Sequence, residues 1–217
     1  LDFKQNLMSP CEMRILILGA GAVGGYYGAR LIQVGADVTF LVRPEKQRLL
    51  KKNGLVIETP EETLTFQPAT VTKDCLNSDV DLVVLTPKSY DFAEAVEVVK
   101  VIQGKPFLLP FLNGIDHLHQ MDRLFGKERV MAGAAYVSTT LTADGSVQQL
   151  RDDPSFVFGA RHESQKNVAE NLHNLCSTSA FESILSLQIE QALWNKWAVL
   201  ATLAGMTTLM RASMGRI

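Results

Sequence analysis

The hexapeptide Gly19-Ala20-Gly21-Ala22-Val23-Gly24 lies between a short apolar run, Arg14 to Leu18, and a helical stretch from Ala22 to Val34. Few chain paths suit that arrangement. The first glycine permits a tight strand-to-helix turn. The second lets backbone approach a pyrophosphate, and the third lets the helix pack closely on the sheet. Gly28 carries the small-residue face one helical turn further. The helix start then offers unpaired N–H groups and the positive end of its dipole to phosphate. A glycine turn of purely structural use is the competing reading. The flanking strand and helix favour a dinucleotide held by Gly19, Ala20, Gly21, Ala22, Val23 and Gly24.

From Met13 strands and helices alternate, as in a parallel sheet covered on both faces. Strands are expected at Asp37–Val42, Asp81–Thr86 and Pro106–Pro110, with a polar-flanked pair at Leu55–Glu58 and Leu64–Phe66. Helices are expected from Pro44 to Lys52, from a Ser89 or Asp91 cap to Ile102, and over Ile115–Phe125. After Gly133, Ala134–Thr142 and Ser146–Leu150 read as a hairpin about the Asp144-Gly145 turn. Phe156–Phe158 and Phe181–Leu185 read as further strands and Glu163–Cys176 as an amphipathic helix. Leu187 to Arg211 is one long helix with an apolar face that needs a partner surface. The fold class is therefore α/β: a Rossmann-type doubly wound sheet over residues 13–185, then the start of an all-helical C-terminal domain over 186–217, expected to be truncated. Residues 1–12 read as an extension.

A net charge of -2 gives no reason to expect nucleic acid as partner. No apolar run reaches the ~20 residues that span a bilayer, and the first twelve residues do not read as a secretory signal. The three cysteines form no CxxC pair, so neither a disulfide framework nor a metal site is expected, and a reduced cytoplasm is the simplest compartment. A homodimer is left open. His117, His119, His162 and His173 have no metal or triad spacing and read as exposed.

Arg43 stands at the end of the second strand, nineteen residues after Gly24. An acidic residue there would suit a ribose 2′-OH, whereas an arginine suits a 2′-phosphate. A surface arginine at a strand end is the alternative. Lys88 and Asn113-Gly114 follow adjacent predicted strands at their carboxyl ends, where ligands of open α/β sheets bind. Each is also an ordinary turn residue. Lys196 is the lone cation between Lys166 and Arg211, on a helical face with Ala192, Leu193, Val199 and Leu200. It either snorkels to water or points into a cleft, where desolvation would make it a better proton donor.

Met13 to Gly24, Arg43, Lys88, Asn113-Gly114 and Trp194-Asn195-Lys196 together resemble the ketopantoate reductase (2-dehydropantoate 2-reductase) family, over nearly all of Met13 to Ile217. The resemblance implies NADPH-dependent reduction of a 2-oxo acid, 2-dehydropantoate to pantoate in pantothenate biosynthesis. It implies that Arg43 holds the 2′-phosphate, that Lys88 and Asn113 position cofactor and substrate, and that Lys196 is the general acid. Pantoate-forming members commonly carry Asn four and eight residues after that lysine. Leu200 and Ala204 stand there in this chain, which implies a substrate pocket with an apolar floor. Another 2-oxo acid reductase, an opine-type dehydrogenase and a non-enzymatic NADP(H) sensor remain as alternatives.

Overall fold

Residues 13–76 and 80–217 are described by a computed structural model. The expected extension over 1–12 lies outside the described residues. In chain order the elements are β1 (Arg14–Leu18), α1 (Ala22–Gln33), β2 (Asp37–Leu41), α2 (Pro44–Asn53), β3 (Leu55–Glu58), β4 (Thr63–Phe66), β5 (Ala69–Val71), β6 (Leu82–Leu85) and α3 (Phe92–Val101). There follow β7 (Phe107–Pro110), α4 (Asp116–Phe125), β8 (Ala132–Tyr136), β9 (Thr139–Leu141), β10 (Val147–Gln149), β11 (Ser155–Gly159), α5 (Lys166–Cys176), β12 (Glu182–Leu185) and α6 (Ile189–Met210).

The central sheet is all parallel, in the order β5-β2-β1-β6-β7. Its strands are apolar at nearly every position because both faces are covered. Alternation along each strand divides the core in two. Ile15, Ile17, Phe40 and Val84 join one apolar cluster; Leu16, Leu18, Leu41, Val83 and Leu85 join the other. This is the expected Rossmann-type α/β fold, and the long helix α6 follows it.

Helix α1 explains the glycines beyond the fingerprint. It is wedged between the central sheet and a second sheet, β4-β3-β10-β9. A methyl on Gly28 would overlap the Phe40 ring and Ile17 on one side. A methyl on Gly25 would press on Val147 of β10 at 2.9 Å on the other. The helix closes in a Schellman arrangement: Gly35, at φ +86°, donates to the Ile32 carbonyl, and Ala36 donates to that of Leu31.

Three expectations need correction. Ala134–Thr142 is not one strand. It breaks at Val137-Ser138, so that β8 pairs with β11 while β9 pairs with β10 in a different sheet. The turn about Asp144-Gly145 still closes the β9–β10 hairpin, with Gly145 at φ +89°. The edge strand β5 was not expected, being three residues long and bordered by Pro68. Finally, neither Ser89 nor Asp91 caps α3 through its side chain. Residues Ser89–Asp91 form a 3-10 turn instead, and the Asp91 carboxylate turns towards Arg43.

Candidate active site

Strand order reverses between β1 and β6, and the crevice beyond their carboxyl ends is where a doubly wound sheet takes its ligand. Gly19 makes the turn out of β1 at φ +100°, a conformation that favours glycine. The Thr86 hydroxyl, leaving β6, donates to the Leu18 carbonyl oxygen at 3.1 Å and so pins the turn. Gly24 lies so close to this staple that a methyl there would overlap the Gly19 carbonyl and the Thr86 hydroxyl. Gly21, the N-cap of α1, is the opposite case: a methyl there would meet nothing within 4 Å. No side chain caps the helix start, and its first turn holds no acidic residue. The first N–H groups of a helix have no intrahelical partner. An open face, free donors and no negative charge suit a pyrophosphate, so the residues present fit a dinucleotide.

Arg43 leaves β2 as the N-cap of α2, with its side chain 68% exposed. Its guanidinium donates to Glu94 at 2.6 Å and to Asp91 at 3.4 Å, both at the start of α3. These carboxylates raise its pKa. Lys88 is exposed at the end of the loop after β6.

Lys196 lies three residues beyond the buried Leu193 of α6. Its Nζ donates to the Ala135 carbonyl oxygen at 2.6 Å and sits 4.5 Å from the centroid of the Tyr136 ring. Both partners belong to the end of β8. Burial pushes its pKa down to about 8. The ammonium is therefore anchored at the end of β8.

Asn113-Gly114 follows β7, with Gly114 at φ +82° and a methyl there 3.7 Å from Trp197. Helix α6 thus crosses this loop closely. An open cleft of about 520 Å³ lies between them, lined by Asn113, Gly114, Trp197, Leu200, Leu203 and Ala204 among others. A second, of about 400 Å³, shares Asn113, Gly114 and Trp197 and adds Phe92, His117 and Trp194. Asn113, Leu200 and Ala204 are therefore brought together. Lys196 lines neither cleft; its ammonium lies on the β8 side, one helical turn before Leu200.

The sequence model described as Ketopantoate reductase PanE/ApbA matches residues 15–163. The chain belongs to the ketopantoate reductase family. The uncharacterized oxidoreductase YkpB of Bacillus subtilis strain 168 is 35% identical over 206 residues, 94% of this chain and 68% of that protein. The structure of 2-dehydropantoate 2-reductase from Porphyromonas gingivalis W83 superposes with a TM-score of 0.85 at 24% identity, covering 94% of this chain and 75% of that one. D-mandelate dehydrogenase, solved with NADH and anilino(oxo)acetate, does so at 0.81 and 23%, covering 92% and 65%. The chain thus spans about two thirds of the length of several of its relatives.

Within this ketopantoate reductase fold, the sequence pattern did not point to four side chains that hold the candidate site together, of which His117 lines the second cleft. Thr86 and Tyr136 act through strand ends that meet only in three dimensions. His117 is 6% exposed, which corrects the reading of all four histidines as exposed. The first turn of α4 packs it edge-on against Phe92, and burial pushes its pKa down to about 4. Its signal was the apolar spacing to Leu118 and Met121. Arg161, with a side chain 3% exposed, grips Asp122 of α4 with both terminal nitrogens at 2.7 Å and Glu190 of α6 at 2.8 Å. It fixes the first turn of the helix that carries Lys196. Among the described residues, no group of three or more metal-binding side chains comes together and no helix is long and apolar enough to cross a membrane.

Proposed function

We propose that the protein is an NADPH-dependent reductase that converts a 2-oxo acid to the 2-hydroxy acid. Residues 13–185 bind the cofactor and 186–217 supply the first substrate-facing helix. The observation that carries this reading is Lys196: a half-buried ammonium with its pKa lowered to about 8, on the helix that crosses the Asn113 loop. The cofactor, when bound, supplies a hydride to the carbonyl carbon. Negative charge then develops on the carbonyl oxygen, and Lys196 stabilises it and donates the proton. Its bond to Ala135 occupies one of three N–H donors and leaves two for a carbonyl oxygen that reaches from the cleft at Leu200 back one helical turn to the β8 side of α6. Gly19 to Gly24 receive the pyrophosphate, Arg43 the 2′-phosphate, and Lys88 and Asn113 orient the reacting groups.

The substrate follows from the cleft. Leu200 and Ala204 offer an alkyl group and a methyl beside Asn113. The hydroxyl of 2-dehydropantoate finds no partner on these two side chains, and packing it against them unpaired would cost up to about 1–3 kcal/mol. An apolar-chain 2-oxo acid gains contact instead. The same fold holds anilino(oxo)acetate in D-mandelate dehydrogenase, in keeping with an apolar substituent on the oxo acid. We expect 2-oxoisovalerate to be reduced at least as well as ketopantoate, with kcat/KM measured from NADPH oxidation. A preference for ketopantoate of about a hundredfold would mean the hydroxyl is recognised. Failure of every 2-oxo acid in a panel to oxidise NADPH would remove the reductase reading altogether.

A further inference from the structure

Arg43 is not poised for an anion alone. Its guanidinium is already engaged by Glu94 at 2.6 Å and by Asp91 at 3.4 Å. Both carboxylates belong to the start of α3, which faces the end of β2 across the crevice. A 2′-phosphate carries about -1.5 to -2 charges at neutral pH. To bind Arg43 it must displace Glu94 or share the guanidinium with it, and it must also lie beside two negative charges. A ribose 2′-OH has the opposite relation to the same group. It can donate to a carboxylate, the role an acidic residue plays in NAD-selective sites of this fold.

We propose that Glu94, with Asp91, determines cofactor preference by competing with the 2′-phosphate for Arg43, so that the protein takes NADH as well as NADPH. This inference rests on the reading of Arg43 as the 2′-phosphate ligand. All three side chains are exposed, at 68%, 60% and 40% for Arg43, Glu94 and Asp91. Exposed ion pairs are weak and screened by salt. The competition therefore tunes preference and does not abolish NADPH binding.

The test is titration of NADPH and NADH against the parent, Glu94→Gln, Asp91→Asn and Arg43→Ala, with melting temperature recorded for each. Glu94→Gln keeps the shape of the side chain and removes its charge. It should tighten NADPH by about two- to fivefold, the scale of an exposed pair, and leave NADH unchanged or weaker. Asp91→Asn should act in the same direction and less. The Glu94→Gln gain should shrink as salt is added. An unchanged NADPH/NADH ratio in Glu94→Gln, with Arg43→Ala still losing NADPH selectively, would overturn the competition and leave Arg43 in its role. Equal loss of both cofactors in Arg43→Ala would instead overturn the underlying reading. If Glu94→Gln melts well below the parent, Glu94→Asp, which retains the charge, should restore the melting temperature and the parental ratio together.

Discussion

At the scale of single residues, the proposed reading puts the rate on Lys196. Lys196→Ala should lower kcat by about 10²–10⁴-fold, the usual contribution of a positioned general acid, with NADPH affinity hardly changed. The pH profile has a definite sign. The donor must be protonated, so kcat/KM should be flat at low pH and fall as pH rises through about 8, the value to which burial depresses this group. A profile still rising at pH 9, or full turnover in Lys196→Ala, would assign the proton to another group. His117 gives a second titration, this time of stability. Its folded pKa of about 4 lies below its ordinary 6.5. The unfolded chain therefore binds the extra proton between these values. Stability should be fully present above pH 6.5 and drain away as pH falls through about 4, by at most about 3 kcal/mol. Denaturant unfolding of His117→Phe should lack that slope; an identical slope would clear His117. The isolation of Lys196 was legible in its helical neighbours. Its partners Ala135 and Tyr136 were not, because the contact spans 61 residues of chain.

At the scale of elements, the glycines of α1 separate two uses of missing side chains. Gly28 leaves room for Phe40 and Ile17, and overpacking at such a contact costs about 1–3 kcal/mol. Gly28→Ala should therefore lower the melting temperature while a folded remainder still binds NADPH. Gly21→Ala meets no protein atom within 4 Å. On the proposed reading it should leave the melting temperature alone and weaken NADPH, because the methyl would project into the space a pyrophosphate would take. Loss of stability in Gly21→Ala with unchanged NADPH affinity would reverse the assignment. The glycine turn was readable because the turn and the helix start are both local. The break between β8 and β9 was not. Nothing in Ala134–Thr142 disfavours one long strand. The break comes from two different partners, β11 and β10, each reached through a distant stretch of chain.

At the scale of the whole molecule, the parallel sheet was legible because a strand buried on both faces needs an unbroken apolar run. The assembly of the clefts was not, because it depends on the angle at which α6 crosses the Asn113 loop. Arg161 ties the first turn of α6 to α4 through Glu190 and Asp122, and its partners come from separate parts of the chain. The two tryptophans of the sequence make the crossing observable. Trp194 and Trp197 both lie on α6, are 48% and 46% exposed, and pack edge to face at 5.6 Å. Both line the cleft of about 400 Å³, one of the two that share Asn113. Intrinsic fluorescence is therefore a report from this one place. An apolar 2-oxo acid seated beside Asn113 removes water from Trp197. In the presence of NADP⁺, which cannot reduce it, saturating 2-oxoisovalerate should shift the emission to shorter wavelength and reduce quenching by acrylamide. Trp197→Phe should lose most of that change while Trp194→Phe keeps it. The cleft with Leu200, Leu203 and Ala204 touches Trp197 and not Trp194, so the contrast between the two variants locates the acid. If both variants respond alike, or the parent does not respond while turning over the same acid with NADPH, the substrate is bound elsewhere, and Leu200 and Ala204 have no part in choosing it.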